Sequence, residues 1–216
     1  MKKVILTGAG GCMRELVWQM QEKNKQSPDF EILGYVDLHK PENGEGLTVG
    51  GETIPYLGDD DVLLKKKEPV NVMICVGEPA LRRRIAEKLS ANPHISFPNI
   101  ILGNTKICAD VQMGKGCIVS MDARISTNVT LGAFVFLNTG SMVCHDGRLG
   151  DFVTLGPDVT VAGDVRIGDG CNVGIGTKII QGVSVCADVT VGAGAVVVRD
   201  VEEACTVAGV PAKRIR

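Results

Sequence analysis

Residues 119–161 read VSMDARISTNVTLGAFVFLNTGSMVCHDGRLGDFVTLGPDVTV, and every sixth position, from Val119 through Ile125, Leu131, Leu137, Val143, Leu149 and Leu155 to Val161, is aliphatic. The beat runs in both directions, from Ile101 to Val197, seventeen consecutive hits inside a segment of 102 residues that ends at Glu202. A short fixed period marks a stacked repeat, because one unit cannot bury its own apolar side alone. Two residues before the aliphatic position the side chain is small or β-branched, as at Val111, Cys117, Ala123, Val129, Ser141 and Gly147. Positions two apart on a strand share a face, so both sets point inward. The position after the aliphatic residue is often glycine, as at Gly114, Gly132, Gly150, Gly156, Gly168, Gly174 and Gly192. We expect a corner with positive φ there.

Three six-residue flats close one triangular coil of eighteen residues, and stacked coils pair as parallel strands about 4.8 Å apart. The segment is expected to be a β-helix prism of between five and six coils, roughly 27 Å long. Its hand does not follow from the period. Sorting outward strand positions by flat gives one polar series, Gln112, Thr130, Arg148, Arg166, Ser184 and Glu202, which should face water. Another series starts with Ile118 and Phe136 and continues with Thr154, Asn172 and Thr190. Two large apolar side chains on an otherwise exposed flat ask for a covering surface. We expect it to be a second subunit or, failing that, the first domain.

The chain has 216 residues, 44% hydrophobic and 22% charged, with a formal charge of −2. This composition reads as soluble and globular, with no basic excess for a nucleic-acid partner. Lys2 and Lys3 precede an apolar stretch that Gly8, Gly10 and Gly11 interrupt, which excludes a signal peptide or membrane span there. The eight cysteines form no C-x-x-C pair, and Cys117 and Cys171 fall at inward positions. We expect a reducing cytosol, a cytoplasmic location and no zinc site.

Ahead of the repeat the periodicity changes. Lys3–Leu6 reads as a strand, Gly8–Gly11 as a turn, Arg14–Glu22 as an amphipathic helix and Glu31–Val36 as a second strand. Leu38–Gly51 is rich in Gly, Asn and Glu and is expected to be a loop, and Asp59, Asp60 and Asp61 look like the acidic start of a short helix. Val70–Val76 then reads as strand and Pro79–Leu89 as helix, Pro79 standing at a favoured first helical position. Alternating strand and helix predicts a parallel sheet with helices on its faces. Pro93 and Pro98 bracket the passage to the repeat, so the domains are expected to span residues 1–96 and 97–216.

Gly8-Ala9-Gly10-Gly11 follows a strand and opens a helix, where backbone N–H groups can meet a phosphate. The dinucleotide fingerprint asks for glycine at 13, where this chain has Met13, so an ordinary NAD site is disfavoured. Asp37, ending the second strand, is placed to accept from a ribose or base; the alternative is a tight turn with a capping acid. His145 is the only histidine of the repeat, two positions past inward Val143, hence outward at a corner. Asp146 can orient its ring and stabilise its protonated form. An idle exposed histidine is the competing reading. Cys144 adjoins it as a conceivable nucleophile. Arg82, Arg83 and Arg84 form a charge run of the kind that usually covers a solvated face.

Asn138-Thr139-Gly140, Cys144-His145-Asp146, Gly150-Asp151-Phe152 and Ala208-Gly209-Val210-Pro211-Ala212-Lys213 together resemble the hexapeptide-repeat bacterial sugar O- and N-acetyltransferases. The whole is similar to UDP-4-amino-sugar N-acetyltransferases and sialic acid O-acetyltransferases. The resemblance implies a small Rossmann-like domain that binds the acceptor or nucleotide-sugar, followed by a left-handed parallel β-helix. It implies direct acetyl transfer from acetyl-CoA with His145 as general base and Asp146 its partner, so a thioenzyme on Cys144 is not expected. Acetyl-CoA contacts would fall on Thr154, Gly163, Ile175 and Ala193, with Lys213 near the CoA phosphates. Acceptor contacts would fall on Gly10, Gly11, Cys12, Met13, Asp37 and Asn138, and the family's usual assembly is a trimer with acetyl-CoA between prisms. Thr154 departs from the histidine that some members carry. Gly11-Cys12-Met13 replaces Gly-His-Gly, and Asp37-Leu38 replaces a pair of acids, so the acceptor need not be a UDP-sugar. Two readings from other classes compete. A γ-type carbonic anhydrase needs three metal-binding histidines, and His39 and His94 lie outside the repeat. A non-enzymatic assembly or nucleotide-binding subunit would lack the His-Asp pair.

Overall fold

In the computed structural model, which describes residues 1–42 and 44–216, Ile100 pairs with Ile118, Ile118 with Phe136, Phe136 with Thr154, Thr154 with Asn172 and Asn172 with Thr190. Every step is eighteen residues and parallel. The same offset links Lys106, Arg124, Met142, Thr160, Lys178 and Val196 on a second face. Gln112, Thr130, Arg148, Arg166 and Ser184 form a third. Two-residue strands alternate with tight corners around a prism whose interior is a column of aliphatic side chains, from Val119 and Ile125 to Val191 and Val197, all at most 3% exposed. Cys117 and Cys171 are 0% exposed and fill inward small positions. Thr206–Ala208 and Lys213–Arg214 close the last coil as an antiparallel pair.

The corners differ from expectation. From Gly116 to Gly194 the left-handed residue stands three positions past the aliphatic one, not one, as at Asp122, Asn128, Asp146, Asp158 and Asp164. Asn and Asp tolerate that region best among residues with a side chain. The glycines next to the aliphatic residue have another reason. A Cβ on Gly168 would lie 2.5 Å from the Ala187 backbone nitrogen and 2.8 Å from its Cα, and one on Gly174 2.6 Å from the Ala193 nitrogen. The coil above rests directly on these Cα atoms.

The Arg148 face is exposed or half-buried throughout. Ile118 and Phe136 are each 3% exposed within the single chain. The polypeptide itself covers this pair, so they do not form a surface awaiting a second copy.

By contact the chain separates into two units, Met1–Gly77 with Leu81–Pro98, and Asn99–Arg216 with Glu78–Ala80. The first contains β1 (Lys2–Thr7), α1 (Gly11–Gln26), β2 (Phe30–Val36), β3 (Gly46–Val49), β4 (Glu52–Gly58), α2 (Asp60–Leu64), β5 (Val70–Ile74), all but the first two residues of α3 (Pro79–Leu89) and β6 (Ile95–Ser96). Met13, Leu16, Val17 and Met20 make the buried stripe of α1 at the spacing one helix face requires. Asp59 caps α2 by accepting from the Asp61 N–H at 3.0 Å. The sheet order is β3-β4-β2-β1-β5-β6, parallel except for the β3–β4 hairpin. That hairpin occupies part of the stretch expected to be a loop; Asn43, within the same stretch, lies outside the described residues. Gly50 and Gly51, with φ of +57° and +84°, make its two-residue turn, a connection whose twist suits a hairpin. Among the described residues no helix is long and apolar enough to cross a membrane.

Arg82 also departs from expectation: it is 1% exposed, and its Nη1 donates to the carbonyls of Val76 and Gly77, both at 2.9 Å. In the first turn of α3 the side chain folds back under the turn after β5, whose carbonyls need donors once buried.

The two kinds of corner glycine should respond differently to substitution. Gly168→Ala, which drives a methyl into backbone, should cost about 1–3 kcal/mol in a denaturant melt. Gly194→Asn, at φ +66° with open space around its Cα, should leave the midpoint nearly unchanged.

Candidate functional site

The corner between the Met142 face and the Arg148 face carries the chemistry. Chain turning puts Asp146 at φ +62°, and this left-handed step folds its carboxylate back beside the preceding imidazole. His145 Nδ1 lies 2.7 Å from Asp146 Oδ2. The other carboxylate oxygen, Oδ1, accepts from Nδ2 of Asn128 at 2.6 Å. Asp146 is held below the usual carboxylate range by the His145 hydrogen bond first and the Asn128 hydrogen bond second, with the charges of His145 and Arg148 adding. It is therefore ionised at neutral pH. Both side chains remain about half exposed, 51% for His145 and 47% for Asp146, so the pair is open to a ligand.

One coil on, Gly163 is buried beneath the imidazole: a Cβ there would stand 2.5 Å from Nε2 and 3.0 Å from Nδ1 of His145. The ring lies on a glycine shelf. The His145 carbonyl accepts from the Asp164 N–H at 2.9 Å, and the Asp146 N–H donates to Thr127 at 3.2 Å, so the coils on either side fix the backbone of the pair. An imidazole held by a carboxylate at Nδ1 presents Nε2 as its basic atom.

The other prism residues singled out from sequence lie elsewhere. Asn138, Ile175 and Ala193 run along the edge between the Ile118 face and the Met142 face. Ile175 is 54% exposed and Ala193 is exposed. Asn138 is half-buried and its Oδ1 accepts from the Thr139 N–H. Thr154, on the Ile118 face, is 6% exposed, and Lys213 is exposed in the closing strand pair. Within one prism, then, the His145 edge and the Ile175 edge bound the two sides of the Met142 face and do not meet.

In the first unit, strands leave β1 toward β2 on one side and β5 on the other. The crevice at the carboxyl ends of β1 and β5 is where open α/β sheets bind ligands. Gly10 and Gly11 are exposed at the start of α1, Gly10 capping it without a side chain. Met13 is 0% exposed, its side chain part of the buried stripe of α1. Burial pushes the Cys12 thiol up to about 11, with Glu15 adding and Arg82 opposing, so it stays a neutral thiol at physiological pH. Asp37 Oδ1 accepts from the His39 N–H at 2.8 Å and lies 3.3 Å from His39 Nδ1. Tyr56 donates its hydroxyl to the Asp37 carbonyl at 3.1 Å and packs on Tyr35 with ring centroids 5.5 Å apart. The buried Tyr35 hydroxyl has no hydrogen-bond partner among the described residues.

Residues 3–89 match the family model of the PglD N-terminal domain. Over 100% of this chain and 98% of the other, the fold matches a histidine-to-alanine variant of GDP-perosamine N-acetyltransferase from Caulobacter crescentus, solved with CoA and GDP-perosamine, with a TM-score of 0.87 and 29% identity. Along its whole length the chain is therefore similar in fold to a sugar N-acetyltransferase. The same architecture is found in the acetyltransferase domain of PglB from Neisseria gonorrhoeae, in complex with acetyl coenzyme A, and in WeeI from Acinetobacter baumannii. The first shows 29% identity, a TM-score of 0.85 and 99% coverage of both chains; the second shows 25%, 0.82 and 100% of both. No curated protein sequence matches the chain.

Asn128 escaped the sequence reading. The signal was present, since 128 lies one eighteen-residue coil before 146 and so stacks on it. Gly163 was expected to touch the acyl donor from one coil along from His145, with its N–H at the oxyanion; that the imidazole lies directly on it is a finding of the structure. Gly163→Ala, at a φ that alanine accepts, should displace the ring: steady-state transfer should fall at least ~10-fold while the melting temperature moves by no more than a few degrees.

Proposed function

We propose that the protein transfers the acetyl group of acetyl-CoA to the amino group of a nucleotide-linked sugar, with His145 as general base. The observation that carries this reading is the His145–Asp146 pair at 2.7 Å, half exposed at a corner of the prism in a chain that matches a GDP-perosamine N-acetyltransferase along its whole length. The first unit offers backbone N–H groups at Gly10, Gly11 and Cys12 for a diphosphate, and Asp37 for the nucleoside. A helix start without a capping side chain suits an anion.

The sugar amine attacks the thioester carbonyl carbon as Nε2 of His145 takes its proton. Asp146 supports the imidazolium that forms. The Gly163 N–H, beside the ring, is our candidate donor to the oxyanion. The C–S bond then breaks, and the CoA sulfur leaves as thiol with the proton from His145. The location fitting this chemistry is the cytoplasm, where acetyl-CoA is available.

Assembly as a homotrimer belongs to the same reading. The donor contacts assigned to Ile175 and Ala193, together with Asn138, lie on one edge of the Met142 face and the base on the other; a neighbouring prism can bring one edge of each copy together. Ile175, Ile180 and Val198, at 54%, 44% and 37% exposure, supply apolar surface for that contact. Ile180→Glu should then yield monomers in sedimentation and lose transfer together, because a charge buried at the contact is costly. A wild type that sediments as a fully active monomer would exclude the shared site.

Incubation with acetyl-CoA and a panel of UDP-, GDP- and dTDP-linked amino sugars should identify one acceptor that is acetylated on nitrogen. His145→Ala should keep the melting temperature and lower turnover at least ~100-fold, whereas activity within a few-fold of wild type would sink the base assignment. In Asp146→Asn the imidazolium loses its counter-charge, so turnover should fall, though by less than in His145→Ala. Cys144→Ala should retain most activity, and a labelled acetyl group trapped on Cys144 would refute direct transfer.

A further inference from the structure

The carboxylate of Asp146 has each oxygen engaged by a different partner. Oδ2 faces Nδ1 of His145 at 2.7 Å, and Oδ1 accepts from Nδ2 of Asn128 at 2.6 Å. Asn128 and Asp146 occupy the same corner of successive coils, both left-handed, at φ +55° and +62°. Backbone bonds hold the two corners in register: the Asp146 N–H donates to Thr127, next to Asn128. An Asp146 free to rotate could turn either oxygen to solvent or toward Arg148. The amide prevents this, because turning the carboxylate would break a short hydrogen bond to a charged acceptor, the stronger kind. Unlike a lysine at the same place, the amide donates without a charge, so it leaves the negative charge of Asp146 available to the imidazolium.

We propose that Asn128 is a positioning residue: it locks the Asp146 carboxylate so that neutral His145 keeps its proton on Nδ1 and presents the Nε2 lone pair to the acceptor. The proposal deepens the general-base reading and rests on it for its kinetic consequence, but the tautomer is observable without turnover. The bland alternative is that Asn128 is present only because asparagine suits a left-handed corner. Position 182, in the same column, is glycine at φ +78°. Glycine therefore makes this corner without an amide, and Asn128→Gly separates the two roles.

The experiment uses the full-length protein with 15N-labelled histidine. In wild type the neutral His145 ring should show the shifts of the Nδ1–H tautomer. In Asn128→Gly the ring should shift toward a mixture with the Nε2–H form, turnover should fall about tenfold through misorientation, and the KM for the acceptor should stay the same. Asn128→Asp, which sets a second carboxylate against Asp146, should fold and lose more turnover than Asn128→Gly. Adding Asn128→Gly to Asp146→Asn should cause little further loss, since the amide acts through the carboxylate. An unchanged tautomer in Asn128→Gly, or equal losses with and without the Asp146 carboxylate, would overturn the proposal. If instead His145→Ala is fully active while the tautomer shifts as expected, the base reading fails and the positioning role stands.

Discussion

Backbone resting on backbone is the constraint from which the rest of this molecule follows. In residues 100–197 each coil donates and accepts its hydrogen bonds with the coil eighteen residues away, at the separation of paired strands. At this spacing a side chain fits only if it points into the prism or out of it, and a Cβ directed along the stack strikes the next coil, as at Gly168 and Gly174. The interior accepts only small and branched aliphatic residues for the same reason: three faces converge on one narrow column.

The candidate site is built by the same stacking. Asn128 sits on Asp146 and His145 lies over Gly163 because each pair is one coil apart. A base on an isolated loop would need other elements to hold its ring. Here the repeat supplies a donor on one side and a flat shelf on the other, and the exposed corner leaves Nε2 open. A precise site on a rigid scaffold costs little when neighbouring coils already hold the backbone.

The first unit obeys a different rule, and local pattern was a poorer guide to it. Arg82 looked like part of a solvated charge run, yet it is buried under the turn after β5, where its guanidinium satisfies two carbonyls. Nothing in the triplet Arg82-Arg83-Arg84 distinguishes the inward one; the direction depends on how α3 lies on the sheet. The β3–β4 hairpin was missed because β3 is only four residues long and lies in a run rich in Gly, Asn and Glu that reads as loop, although Gly50-Gly51 marked its turn.

Sequence alone determined the prism, its coil length and its inward column, because a six-residue period has one packing solution in which both inward sets are buried. It also determined the outward corner position of His145 and, through motif resemblance, pointed to the sugar acetyltransferases. Tertiary structure decided what the period could not express: which glycines avoid a collision and which turn the chain, that Ile118 and Phe136 are covered within one chain, and that Asp146 divides its two oxygens between His145 and Asn128. These outcomes depend on contacts between residues eighteen or more positions apart and on the angle at which each corner returns. A one-dimensional pattern records which residues recur, but not the direction in which each side chain meets the coil beside it.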